Sequence, residues 1–247
     1  MAHKKLIAKD GFQLGSYLAK PNGKPRGAII VVQEIFGVNS HIQSICDRLA
    51  ENGYVAIAPA VFDRIRPGFD SGYTPKEVDQ AKKLMLSFNI DSALLDLEAA
   101  RENVANAGNV GIVGFCLGGS LAWLAATRLD GFVGASSFYG GLVKQFATET
   151  PNCPVQFHYG ADDASIPPDN YEEVRKHNPE AEFYLYENAG HGFNCDQRKS
   201  YAPEPAAMAW ARTLTFFENT IVKSLSLIHI SEPTRLLSIS YAVFCLK

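Results

Sequence analysis

Residues 114–119 constrain the fold of this chain more than any other segment. They read Gly-Phe-Cys-Leu-Gly-Gly, follow the apolar run 110–113 and precede a helical pattern over 120–129. Glycines two positions either side of a cysteine suit a very tight strand-to-helix turn, which lifts one side chain off the strand end. The turn also points backbone N–H groups and a helix N-terminus at that side chain. We therefore predict a nucleophile elbow with Cys116 as the nucleophile, although a buried free cysteine is more often a small core residue.

The apolar runs of the chain predict an α/β fold. Residues 28–32 are unbroken Ala-Ile-Ile-Val-Val, a pattern typical of a strand buried on both faces of a parallel sheet. A hairpin at 4–8 and 13–19 precedes this strand, and helical segments alternate with strands after it. We predict further strands at 54–58, 109–113, 133–138, 155–159 and 182–186, and helices at 40–52, 75–88, 91–107, 120–129, 169–176 and 205–222. This alternation predicts a mostly parallel, doubly wound sheet flanked by helices, with ligands at the carboxyl ends of its strands.

Length and segment composition predict one domain over residues 1–223. The chain has 247 residues, which suits a single large α/β domain. Residues 224–247 differ, because they are rich in serine, leucine and isoleucine and have no helical period. We interpret this tail as non-native or disordered sequence, and a genuine C-terminal hairpin is the alternative.

Charge and cysteine usage narrow the functional class. The net charge of −3 provides no basic surface for nucleic acid, and no segment has the length of an apolar transmembrane helix or the pattern of a signal peptide. The five cysteines are widely spaced and include no C-x-x-C pair. This argues against a disulfide framework or a zinc site, and for a reducing cytoplasm. We expect a cytoplasmic monomer that acts on a small molecule, without metal, cofactor, nucleic acid or membrane.

A thiol nucleophile needs a base, and the base needs a group that orients it. His191 lies between two glycines after the predicted strand 182–186, whereas His158 lies within a strand and should be a satisfied structural residue. Asp162 and Asp163 follow the strand 155–159, and one of them should form an Asx turn. With Asp163 as the acid, the order cysteine, aspartate, histidine matches that of α/β-hydrolases.

An oxyanion hole requires two preorganised donors. The Leu117 N–H, next to the nucleophile, is one candidate. The Ile35 N–H, in the loop after strand 28–32, is the second. Glu34 in the same loop is unexpected because its charge would oppose a developing oxyanion, and a surface glutamate is the simpler interpretation.

Five segments together resemble the dienelactone hydrolase (carboxymethylenebutenolidase) family. They are 33–37 (Gln-Glu-Ile-Phe-Gly), 96–100 (Asp-Leu-Glu-Ala-Ala), 114–119, the turn at Asp163, and 190–193 (Gly-His-Gly-Phe). The resemblance covers about residues 4–220 and implies an α/β-hydrolase fold. It implies that Cys116 attacks a lactone or ester carbonyl to form a thioester, with His191 as base and Asp163 as its orienting acid. It also gives Glu34 a role, since the glutamate of the family contacts the resting cysteine and moves when substrate binds.

The sequence departs from the family where the substrate carboxylate is held. The two arginines of well-known members align with Val78 and Cys195 here. The candidate replacements for these arginines are Arg198, Lys82, Arg64 and Arg66. The candidate substrate-binding residues are Arg198, Lys82 and Phe36. The alternatives are a general small-ester carboxylesterase and a non-catalytic binding protein of the same fold. An amidotransferase is disfavoured because no glutamate closely follows His191.

Overall fold

The apolar runs become the strands of one eight-stranded sheet in a computed structural model that describes residues 2–223. The strands are β1 (Ala2–Ile7), β2 (Gln13–Ala19), β3 (Ala28–Val32), β4 (Val55–Pro59), β5 (Val110–Phe115), β6 (Phe132–Phe138), β7 (Val155–Gly160) and β8 (Glu182–Tyr186). The flanking helices are α1 (Ser40–Glu51), α2 (Pro75–Met85), α3 (Ile90–Val104), α4 (Leu117–Arg128), α5 (Pro168–His177) and α6 (Pro203–Phe217). The predicted tail over 224–247 lies outside the described residues.

The strand order places a crevice between β3 and β5. The order across the sheet is β1-β2-β4-β3-β5-β6-β7-β8, with β1 and β2 antiparallel and the remaining strands parallel to one another. After β3 the chain goes to β4 on one side, and it later returns to β5 on the other side. Ligands bind at such a switch point in open α/β sheets. Every residue of β3 and β5 is buried, as their apolar sequences predict.

Helix boundaries differ from the sequence prediction where local chemistry intervenes. Helix α4 begins at Leu117 rather than Ser120, because the glycine-rich elbow leaves no linker after β5. Helix α2 does begin at Pro75, as predicted, and Thr74 and Glu77 form a capping box at its start. The predicted loop over 59–74 contains a 3₁₀ turn at Val61–Arg64, and a π-helical segment, Glu218–Lys223, continues α6.

None of the helices within residues 2–223 combines the length and apolar character needed to cross a bilayer.

Candidate active site

The elbow holds Cys116 in a strained conformation at the end of β5. Its φ of 56° and ψ of −112° lie outside the regions that ordinary residues adopt, and its N–H donates to the Phe138 carbonyl oxygen at 3.0 Å. A Cβ at Gly114 would overlap the Gly118 carbonyl oxygen, and a Cβ at Gly119 would overlap that of Phe138. The glycines are therefore required by close backbone approach, and the half-buried thiol stands at the carboxyl edge of the sheet.

Asp163 and His191 meet at the same edge. Asp163 Oδ2 lies 2.7 Å from His191 Nδ1, and its other oxygen accepts from the Ser165 N–H at 2.8 Å. The Asp163 side chain is fully buried, whereas Asp162 is exposed to solvent. The single aspartate therefore both closes the Asx turn and orients the histidine.

The environment of His191 favours its protonated form. Burial acts to lower the pKa of the imidazole, but hydrogen bonding to Asp163 and to Cys116, together with their charges, outweighs burial and raises the pKa to about 10. Because Nδ1 is engaged by Asp163, Nε2 is the nitrogen left to face the thiol. The geometry can thus pair a sulfur nucleophile with a basic imidazole.

The two candidate oxyanion donors lie on adjoining segments. A Cβ at Gly118 would overlap the Val32 carbonyl oxygen and lie 2.6 Å from that of Gln33, so the first turn of α4 packs directly on the end of β3. Leu117 is the first residue of α4, where an N–H has no acceptor within its own helix. Ile35 follows two residues after Gln33 in the abutting loop.

Glu34 is a buried residue with an arginine partner. It is 1% exposed, and its Oε1 accepts from Arg198 Nη1 at 2.8 Å. Its Oε2 has no hydrogen-bond partner among the described residues, so no such bond joins it to Cys116. The interpretation of Glu34 as a surface glutamate is wrong, and the hydrogen bond of its carboxylate is to Arg198.

Aromatic rings surround the Arg198 guanidinium. Its Cζ lies 5.5 Å from the Phe36 ring centroid and 5.7 Å from that of Tyr73, within the range of cation–π attraction. Phe36 and Tyr73 pack edge to face at 4.7 Å. Tyr139, at the end of β6, places its ring 5.1 Å from His191. No sequence pattern around Tyr73 or Tyr139 could have identified either residue as part of the site.

The other candidate cations lie elsewhere. Lys82 is exposed on α2 and has no hydrogen bond or ion pair to Glu34 or Arg198 within residues 2–223. Arg64 bonds both Asp96 oxygens, at 2.9 and 2.8 Å, and also pairs with Asp10, so it has a structural role. Arg66 is exposed and lies over the Phe69 ring. Of the four candidates, the structure brings only Arg198 to Glu34.

A second thiol, Cys195, lies buried beside this pair. Its Sγ is 3.2 Å from the Tyr73 hydroxyl, and burial raises its pKa to about 11. His41, from α1, is also buried next to Glu34, and burial lowers its pKa. No spacing motif in the sequence links these residues, since they come from three separate segments. His158 is a satisfied core histidine, as predicted, with Tyr186 and Gln156 as its partners at 2.8 and 2.7 Å.

Comparisons with known proteins show the family to which this chain belongs. Residues 14–221 match the model of the dienelactone hydrolase family. A Synechocystis protein with the provisional name carboxymethylenebutenolidase is 36% identical over 235 residues, covering 87% of this chain and 95% of the relative. The carboxymethylenebutenolidase of Pseudomonas putida is 35% identical over 221 residues, covering 84% and 92%.

A solved structure extends the likeness to three dimensions. The crystal structure of a Klebsiella pneumoniae protein, provisionally named a dienelactone hydrolase, is 34% identical and covers 87% of this chain and 97% of that one, with a TM-score of 0.79. The predicted α/β-hydrolase fold is thereby confirmed. The chain belongs to the dienelactone hydrolase family and is a carboxymethylenebutenolidase-like hydrolase of carboxylic esters.

Proposed function

We propose that this hydrolase cleaves lactones or activated carboxylic esters through Cys116, His191 and Asp163, with a thioester acyl-enzyme as intermediate. The 2.7 Å contact between Asp163 Oδ2 and His191 Nδ1 carries the proposal, because it fixes the imidazole with Nε2 free for the thiol. The strained elbow supports it, since it presents the thiol at the edge where the histidine lies.

The proposed reaction has two halves. His191 Nε2 takes the Cys116 proton, and the thiolate attacks the carbonyl carbon to form a tetrahedral intermediate. The N–H groups of Leu117 and Ile35 donate to the oxyanion. The intermediate collapses to the thioester as the imidazolium protonates the departing alcohol oxygen. Water, deprotonated by His191, then attacks the thioester and releases the acid and the thiol.

Arg198 is the cationic residue that we propose to bind a substrate carboxylate. Its guanidinium lies against the backbone of Gly192, the residue after His191, and its only ion pair within residues 2–223 is with Glu34. A substrate carboxylate that bonds Arg198 would compete with Glu34 for the same guanidinium, which could release the glutamate as the active site fills. Phe36 would form an apolar wall beside the ring of a bound lactone, since it packs under the guanidinium.

A general carboxylesterase is the second candidate. It is favoured by Val78 and Cys195, which provide no cation where the family has two arginines. The two candidates differ in the ratio of kcat/KM for an anionic lactone to that for a neutral ester of similar size. A ratio near one would favour the general esterase.

The central test is a panel of lactones and p-nitrophenyl esters with wild-type protein and Cys116→Ala. We expect turnover by the wild type alone. Rapid acid quench and mass spectrometry should show an acyl adduct on the peptide that contains Cys116. Hydrolysis that survives in Cys116→Ala would overturn the thioester mechanism, and binding without turnover in the wild type would favour a non-catalytic scaffold.

A further inference from the structure

Three residues from separate segments bring metal-binding atoms together behind the catalytic edge. Glu34 lies in the loop after β3, His41 lies in the first turn of α1, and Cys195 lies four residues after His191 in the same loop. One ligand atom from each lies within 4.8 Å of the other two, and all three residues are buried. This set provides one oxygen, one nitrogen and one sulfur atom.

Two of these three side chains each have a polar atom without a partner. Glu34 Oε2 and His41 Nε2 are both buried and have no hydrogen-bond partner among the described residues. Glu34 is 1% exposed and His41 is 2% exposed, so water does not substitute freely. Buried polar atoms without partners are uncommon in native proteins and call for an explanation, such as an ion.

The surroundings of the cluster suit a bound cation. Asp196 Oδ1 lies 3.7 Å from His41 Nδ1, which is within ion-pair distance but beyond hydrogen-bond distance, and Nε2 is the ring nitrogen without a partner. A carboxylate that accepts from one ring nitrogen commonly orients a histidine that binds a metal through the other, and Asp196 would form that bond by moving roughly 0.5–1 Å. A divalent ion would be balanced by the Cys195 thiolate and the Glu34 carboxylate, and Asp196 beside His41 offsets the charge of Arg198, which lowers the cost of burying the ion.

We propose that Glu34, His41 and Cys195 form a binding site for Zn²⁺. A mixed sulfur, nitrogen and oxygen set favours a borderline-soft divalent ion over Mg²⁺ or Ca²⁺, which prefer oxygen. Zinc bonds of about 2.0–2.3 Å place tetrahedral ligand atoms roughly 3.3–3.8 Å apart. Because the ligand atoms lie within 4.8 Å of one another, their separations would need to contract by no more than about 1.5 Å around the ion.

Binding would connect the metal to the catalytic edge through Glu34. The ion takes Oε2, whereas Oε1 already accepts from Arg198. Binding also displaces the Cys195 proton, because the thiolate is the ligand. The site would thus fix the carboxylate that a substrate bound to Arg198 is proposed to release.

The test uses the full chain with Cys116→Ser, which removes the other thiol–imidazole pair that could bind zinc. Co²⁺ serves as the spectroscopic probe and Zn²⁺ as its competitor in calorimetry. We expect one equivalent of Co²⁺ to give a thiolate-to-cobalt charge-transfer band, which Zn²⁺ abolishes by displacement. Added Cys195→Ala should remove the band and weaken zinc binding by more than the roughly 10–100-fold that loss of an outer-sphere partner costs.

Matched variants test whether the metal binds at this cluster. His41→Gln should keep some thiolate absorption but weaken the binding of Zn²⁺, whereas Cys153→Ala, a half-buried thiol outside the cluster, should change neither. Circular dichroism melts check that each variant folds, and Cys195→Ser replaces the alanine variant if that one does not. A band that survives in Cys195→Ala or Cys195→Ser, or the absence of stoichiometric binding in the Cys116→Ser protein, would overturn the proposal.

Discussion

Arg198 Nη1 lies 2.8 Å from Glu34 Oε1, and this buried ion pair joins the loop after His191 to the loop after β3. The second loop also carries Ile35, a proposed oxyanion donor. A ligand that changes the ion pair can therefore act on the loop that we propose to contact the reacting carbonyl. We propose that Arg198 takes the role that the family gives to an arginine at the position of Cys195.

Arg198→Gln should reduce selectivity for anionic lactones. Charge-assisted hydrogen bonds contribute about 1.5–3 kcal/mol, so kcat/KM for the anionic lactone should fall roughly 10–100-fold, with a smaller change for a neutral ester. The double variant Arg198→Gln with Glu34→Gln avoids leaving a buried charge unpaired and should show the same loss of selectivity. Lys82→Gln is the control, because Lys82 is exposed on α2. Equal losses for both substrates would contradict the prediction.

Asp163→Asn should lower kcat by about 10³–10⁴-fold, because the amide neither holds the reactive tautomer of His191 nor balances the imidazolium. Asp162→Asn should have little effect, since Asp162 is exposed next to the contact. Steady-state ester hydrolysis measures both variants. If Asp162→Asn proved to be the damaging change, the assignment of the acid would be reversed.

The fold and the backbone of the site could be predicted from the sequence because both depend on local patterns. The apolar runs identify β3 and β5, and the glycines around Cys116 identify the elbow. The start of α4 lies three residues before the predicted one, since the helix starts directly on the strand end. The roles assigned to Cys116, Asp163 and His191 remain predictions, which the 2.7 Å contact supports.

The rest of the site depends on tertiary contacts without a sequence pattern. Arg198 was one of four candidate cations, and only the fold separates it from Arg64, which pairs with Asp96. The cluster of Glu34, His41 and Cys195 joins three segments with no common spacing, so the expectation of no metal site rested on motifs alone.

Stability should depend on pH through His191. Burial lowers its pKa, but Asp163 and Cys116 together raise it to about 10, above the roughly 6.5 of an unfolded histidine. The folded state therefore binds this proton more tightly, and the resulting stabilisation is full below pH ~6.5 and lost as pH rises towards 10. Urea unfolding at intervals from pH 7 to 10 should show the stability difference between wild type and His191→Gln shrinking. Parallel profiles for the two proteins would show that His191 is not the group responsible.

Iodoacetamide should modify Cys116 before the other described cysteines. The thiolate is the reactive form, and burial raises the pKa of both Cys195 and Cys153 to about 11 and that of Cys46 well above its usual value. Peptide mapping by mass spectrometry, with Cys116→Ala as control, gives the order of modification and also resolves Cys245. Faster labelling of Cys195 would mean that the buried cluster opens more readily than the catalytic edge.

Gly118→Ala should damage both stability and activity, because the new methyl group would overlap the Val32 carbonyl oxygen and approach that of Gln33. Overpacking of this kind costs about 1–3 kcal/mol, and each kcal/mol lowers Tm by roughly 2–4 °C in a domain of this length. Activity should fall further than Tm implies, since displacement of α4 from β3 separates the Leu117 and Ile35 N–H groups. Gly141→Ala is the matched control, because the nearest atom to a Cβ there is 4.0 Å away. Thermal melts and esterase assays at a temperature where both variants are folded make the comparison, and a Gly118→Ala protein with wild-type kcat would refute the role of this contact.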